Sequence, residues 1–240
     1  MLERLKTYFT KGTSFYGLEV YQNSGATTYR LLEVSQKKGE LVIDHSALFE
    51  DWATLSKNIK GALPLYVTYN TDNVITKQMT TGATLKDRGA VETLFPGLNF
   101  DNFYYQIVQL KNTSLISVCK KQELDVLIDK LIKLKLSLVG VSLGPSSLAS
   151  LIDFIKKEVI HTNREKVVME NIQDRGISIS KTNDVIQESY DVHGLQVNSS
   201  DLLSFGGVVG FLMDNQSTDS NIKDINTTLK DTFGSNRTFT

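Results

Sequence analysis

Gly140-Val141-Ser142-Leu143-Gly144 spells G-x-S-x-G, the pattern of a nucleophile elbow, in which a strand turns sharply into a helix and exposes a serine hydroxyl. Downstream carboxylates with His161 or His193 would complete a triad in the order Ser, acid, His and make the chain a serine hydrolase. The local context fits in part. Residues 136–141 read as a buried strand, and Ser146 is placed to cap a helix carrying Leu148, Leu151, Ile152 and Ile155. That helix begins several residues after Ser142, too late for an elbow, and the upstream chain consists mostly of hairpins. A plain strand-to-helix loop is the preferred reading.

Other chemistry-bearing residues are scattered. His45, His161 and His193 show no i, i+4 pairing and no neighbouring cysteine, so no metal site is expected. Cys119 is the only cysteine, which rules out an internal disulfide and a cysteine-based metal site and suits a reducing compartment. Gly206, Gly207 and Gly210 could imitate a glycine-rich nucleotide loop. They fall within the apolar pattern Leu202, Leu203, Phe205, Val208, Val209, Phe211, Leu212, where close helix packing accounts for them better. Lys120 and Lys121, with Lys130, Lys133 and Lys135, read first as a solvated face and second as a docking patch.

The elements that must position these residues begin with three strands, at residues 15–21, 29–34 and 41–44, joined by Asn23-Ser24-Gly25 and Lys37-Lys38-Gly39. A helix over 50–59 and a strand over 63–69 follow. Residues 74–79, 103–110 and 114–118 read as strands, with a helix over 85–94 between the first two. Leu124, Leu127, Ile128, Leu131 and Ile132 fall at helical spacing, which predicts a surface helix that buries one stripe against a sheet. Residues 167–172, 177–180 and 185–192 read as a second three-strand meander. Ser199 or Ser200 then caps a helix over 201–213, and the chain beyond is polar.

Three strands, helix, strand, helix, strand, helix is the order of the ribonuclease H-like half-unit of actin-like ATPases. The stretch 115–148, with LIDKLIKLKLSLVGV at its centre, resembles the PilM and GspL group, cytoplasmic scaffolds of type IV pili and type II secretion systems. FGGVVGFLMD is similar to the closing small-residue helix of the actin-like part, and FGSNRTFT resembles the basic-aromatic stretch preceding a membrane span. The resemblance implies a mixed α/β, two-lobed fold. Residues 1–160 would form the first lobe, with an inserted subdomain near 71–120; residues 161–214 would form a reduced second lobe, and 215–240 a linker.

Phosphate-binding turns of this fold use Asp-x-Gly, the carboxylate placing metal and water and the glycine admitting phosphate to backbone N–H groups. The first turn here is Glu19-Val20-Tyr21 and the second Glu170-Asn171-Ile172. The glycine is gone from both, so Tyr21 and Ile172 are expected to close the space, and Gly25 serves only as a turn residue. The expectation is a non-catalytic scaffold without a cofactor. It would lie in the cytoplasm at the bacterial inner membrane, bind the secretion or pilus assembly ATPase and platform proteins, and continue into a membrane anchor beyond Thr240. A homodimer is left open. The alternatives are a nucleotide-binding actin-like protein with ATP-dependent conformation and a hydrolase using Ser142.

Bulk properties agree. A chain of 240 residues, 40% of them hydrophobic, can bury a substantial core. Lys and Arg number 26 against 27 Asp and Glu, so no net attraction to nucleic acid is expected. No apolar run reaches the roughly 20 residues a membrane helix needs.

Overall fold

The computed structural model describes residues 14–23, 25–59, 63–80, 88–110, 113–169, 177–182, 184, 186–213, 219–220 and 222. In chain order the strands and helices begin β1 (Phe15–Asn23), β2 (Ala26–Lys37), β3 (Glu40–Phe49), α1 (Trp52–Asn58), β4 (Pro64–Asn70) and β5 (Val74–Thr80). They continue through α2 (Arg88–Leu94), β6 (Phe103–Leu110), β7 (Thr113–Lys120), α3 (Lys121–Lys133) and β8 (Ser137–Leu143). After a 3-10 segment, Gly144–Ser150, come β9 (Val159–His161), β10 (Glu165–Met169), β11 (Ile177–Lys181), β12 (Ser189–Val192) and β13 (Leu195–Asn198). A 3-10 turn, Ser199–Asp201, leads into α4 (Leu202–Leu212), and β14 (Asp219–Ser220) is the last strand.

The main sheet has the order β3-β2-β1-β4-β8. β1, β2 and β3 pair antiparallel, whereas β1, β4 and β8 run parallel. Pairing between β1 and β2 runs to Asn23 opposite Ala26, and Gly25 sits at φ +85° with nothing near its missing Cβ, which is the backbone a tight hairpin demands. β4 is buried along its whole length, the mark of a central parallel strand covered on both faces, and its Pro64 stands at the first position, where no ladder N–H is lost.

Alternate side chains of the parallel strands supply two cores. Leu18, Val20, Leu65, Val67 and Val141 meet α1 and α3, while Phe15, Tyr66 and Val139 meet α4 and the 3-10 segment. Asp51 caps α1, its carboxylate accepting from Thr54 N at 2.7 Å. Helix α3 buries Leu124, Leu127 and Leu131, as its spacing predicts, but Ile132 is 54% exposed. Ile132 lies about 80° round the helix from Leu124, outside the stripe that a flat sheet can cover.

Helix α4 is buried on every side, so its glycines serve packing. A Cβ on Gly206 would stand 2.5 Å from Ser147 O, one on Gly207 2.5 Å from the Tyr66 ring, and one on Gly17 of β1 2.4 Å from Ser204 O. Gly210 is buried in the same helix. The serine caps expected from sequence do not form. Ser199 Oγ donates to Ile186 O at 2.7 Å, and the helix starts from Asp201 without a side-chain cap bond.

Residues 144–155 also depart from the helix that their sequence predicts. Ser146 begins no α-helix: it is buried in a 3-10 segment, its hydroxyl 3.3 Å from Ser117 Oγ of β7. Gly144, at φ +54°, and Pro145 set a tighter path than an α-helix. The later meander is paired differently from the order that the sequence predicts. β10 and β11 pair as expected, but their third strand is β9, and β12 pairs instead with β13. His193 and Gly194, both with positive φ, form the two-residue turn that folds β12 onto β13.

β14, β6, β7 and β5 form a separate four-stranded sheet around Ala90, Val91, Phe95, Tyr105, Ile107, Ile116 and Val118. β5 pairs with β7 over its full length. β5 stands at one edge of this sheet, and β7 lies inside it between β5 and β6. No helix among the described residues is long and apolar enough to cross a membrane.

Candidate functional site

In open sheets of parallel strands, ligands are taken up beyond the carboxyl ends of the strands. Here those are the ends of β4 and β8, alongside the middle of β1, on the face toward α4. A polar cluster occupies this place. Glu19, fully buried on β1, accepts from Asn70 Nδ2 at 3.1 Å and from Asn163 Nδ2 at 2.8 Å. Asn70 Nδ2 also donates to Glu165 Oε2 at 3.1 Å, and Thr162 Oγ1 donates to the same oxygen at 2.6 Å.

Residues 162–165 are the turn between β9 and β10. Thr162 N donates to Glu165 O at 2.9 Å, and the Thr162 hydroxyl accepts from Arg164 N and Glu165 N, so the turn is rigidly tied to itself. It is also tied to the main sheet. Arg164 donates to Asn70 O at 2.6 Å and pairs with Asp72, while Asn163 also donates to Ser200 O at 2.9 Å. The small sheet thus reaches into the mouth of the large one with its own side chains.

Burial pushes the Glu19 carboxyl up to about 8, helped by the neighbouring Glu165 carboxylate, and burial raises Glu165 as well. Tyr21, two residues beyond Glu19 on the same face of β1, is buried, and desolvation lifts its phenol to about 12. Glu170, Asn171 and Ile172, the second turn singled out in the sequence, lie outside the described residues.

The remaining sequence candidates do not assemble. Ser142 lies within β8, 1% exposed, its hydroxyl 3.1 Å from Thr68 Oγ1. The positive φ that an elbow would give its serine belongs instead to Gly144, and the hydrolase reading fails on this geometry. His161 Nδ1 stands 3.8 Å from Glu188, His193 lies in a hairpin turn against Phe154, and His45 is exposed on β3. Among the described residues, no group of three or more His, Cys, Asp or Glu is placed to hold a metal ion. Cys119 is buried, its thiol pushed up to about 12 by burial. Lys133 and Lys135 are exposed, while Lys130 lies over the Trp52 ring and Lys121 over Tyr104.

Sequence reasoning singled out Glu19 and Tyr21 but missed Asn70, Thr162, Asn163, Arg164 and Glu165. The signal was slight: a run of six polar residues, His-Thr-Asn-Arg-Glu-Lys, between the buried Ile160 and Val167.

The antiparallel β3-β2-β1 meander continued by parallel β4 and β8 is the strand order expected of a ribonuclease H-like half-unit. By overall shape the chain is similar to the cytoplasmic domain of EpsL, an inner membrane component of the type II secretion system of Vibrio cholerae. That match has 12% identity and a TM-score of 0.45 and covers 70% of this chain and 71% of the other. A PilM–PilN type IV pilus biogenesis complex matches at 14% identity and a TM-score of 0.46, over 69% of this chain and 60% of the other. A Bacteroides thetaiotaomicron protein of actin-like ATPase fold and unknown function matches at 10% identity and a TM-score of 0.36, over 74% and 68%. No protein-family model and no curated protein matches the chain by sequence.

Proposed function

We propose that the chain is a non-catalytic scaffold of a bacterial type II secretion or type IV pilus assembly platform. In this reading it lies on the cytoplasmic side of the inner membrane and docks the assembly ATPase to the membrane complex. One observation carries the non-catalytic part: in the middle of β1, beside the carboxyl end of β4, Glu19 is sealed from water by amides of Asn70 and Asn163. Phosphoryl transfer needs that place open, with backbone donors and a metal turned toward it. A protein holds Mg²⁺ through one or two ionised carboxylates, and a buried carboxyl already bonded to two amides is poorly placed to serve as one. Tyr21 in place of glycine removes the backbone approach a phosphate would use.

The secretion or pilus setting comes from the resemblance of residues 115–148 to the PilM and GspL group. Its test is a titration of the purified chain with the assembly ATPase encoded in the same gene neighbourhood. Saturable binding, together with no ATP hydrolysis by this chain alone, is the expected result. Hydrolysis by the chain that Glu19→Ala abolishes would overturn the non-catalytic reading, and absence of ATPase binding would overturn the docking role.

A further inference from the structure

We propose that Glu19, Asn70 and Glu165 form a proton-held latch, which fastens the β9–β10 turn onto the middle of β1 and the end of β4 and releases it when the proton is lost. The argument begins with the charges that face Glu19 from every side. Across the β1–β2 ladder stands Arg30, but its guanidinium is engaged 2.7 Å from Asp201, which also accepts from Ser46. From the β9–β10 turn comes Arg164, paired with Asp72 and bonded to Asn70 O. From β11 comes Lys181, 3.9 Å from the same Asp72. His161, at the head of the turn, has its nearest carboxylate in Glu188. Tyr21 adds a neutral phenol.

Among the described residues, Asp201 pairs with Arg30 and Asp72 with both Arg164 and Lys181, whereas Glu19 is held by the amides of Asn70 and Asn163 and Glu165 by Asn70 and the Thr162 hydroxyl. Of these last two, Glu19 is the one with amide partners only. An unpaired carboxylate in a dry site is far costlier than a neutral carboxyl, so Glu19 keeps its proton. With the proton present, Asn70 bridges a neutral Glu19 to Glu165. Without it, the same side chain must hold a buried carboxylate beside a second acid, and the cheapest relief is to admit water by lifting the short β9–β10 turn. Asn163, which holds both Glu19 and Ser200 O, leaves with it.

The direction follows from linkage. Glu19 stands at about 8 in the closed protein against an ordinary 4.5, so the closed form holds the extra proton across that interval. The latch is tightest at and below the ordinary value. It weakens by at most about tenfold per pH unit as pH rises toward the closed-state value, and changes no further above it.

Hydrogen exchange of the full chain, read by mass spectrometry from about pH 5 to about pH 9 and corrected for intrinsic rates, tests the latch. Protection of residues 159–169 is expected to fall with pH while that of β2 holds, and Glu19→Gln, which cannot ionise, is expected to flatten the dependence. Equal dependence in both proteins, no dependence, or parallel loss in β2 would overturn the latch. Should Glu19→Gln fail to fold, isotope-edited infrared spectroscopy of the wild-type chain with labelled glutamate decides. A protonated carboxyl band at about pH 7 is expected, and its absence overturns the proposal.

Discussion

At Gly17 a single hydrogen atom sets the distance between the main sheet and α4. The Cβ of an alanine would lie 2.4 Å from Ser204 O, and backbone on both sides leaves little room to yield. Gly17→Ala should cost about 1–3 kcal/mol by overpacking, read as a lower urea midpoint with unchanged slope. Ser142 offers a second test. If its hydroxyl is a hydrogen-bond partner of Thr68 and no nucleophile, Ser142→Ala should lower stability by about 1 kcal/mol, and a fluorophosphonate probe should leave the folded wild-type protein unlabelled. Labelling at Ser142 would restore the hydrolase reading.

Among the elements, α3 separates what spacing can reveal from what it cannot. Leu124, Leu127, Leu131 and Ile132 look alike in sequence, yet only the first three face the sheet. Leu131→Ala should therefore cost about 2–5 kcal/mol, whereas Ile132→Ala should stay within about 0.5 kcal/mol, both measured by chemical denaturation. Strands were legible for a related reason. β1, β4 and β8 are short apolar runs bounded by turn residues, and β1–β2 closes on a glycine whose positive φ the turn requires. The 3-10 segment after β8 was not legible, because Ser146 looks like a cap until β7 is placed against it. Nor was β9, three residues long and paired only through β10. The polar site was least legible of all, since Asn70 lies 51 and Asn163 144 residues from the carboxyl they bind. Local pattern identifies which residues are polar, but tertiary folding decides which of them meet.

For the whole molecule, the buried Glu19 makes a pH signature. Its folded value, about 8 against 4.5, means that the folded chain binds more protons than the unfolded one between those limits. Stability from this group is greatest at the acid end and falls as pH rises through the window. Asp44, Asp51 and Glu188 are held below their ordinary values by hydrogen bonds, so their contributions run the opposite way and fade as pH falls below the ordinary carboxylate range. The difference between wild type and Glu19→Gln isolates the buried group: the variant should lose the decline above pH 4.5 and be the more stable protein at about pH 9, as followed by thermal unfolding.

The most direct test of the central claim, that the chain fills with its own side chains the place where an actin-like ATPase would take nucleotide, is thermal unfolding across a Mg-ATP titration. A ligand bound only by the folded state raises stability by RT ln(1 + [L]/Kd). The melting temperature is predicted to stay constant up to millimolar Mg-ATP, and a rise that grows with ligand concentration and disappears in Glu19→Ala would contradict the account.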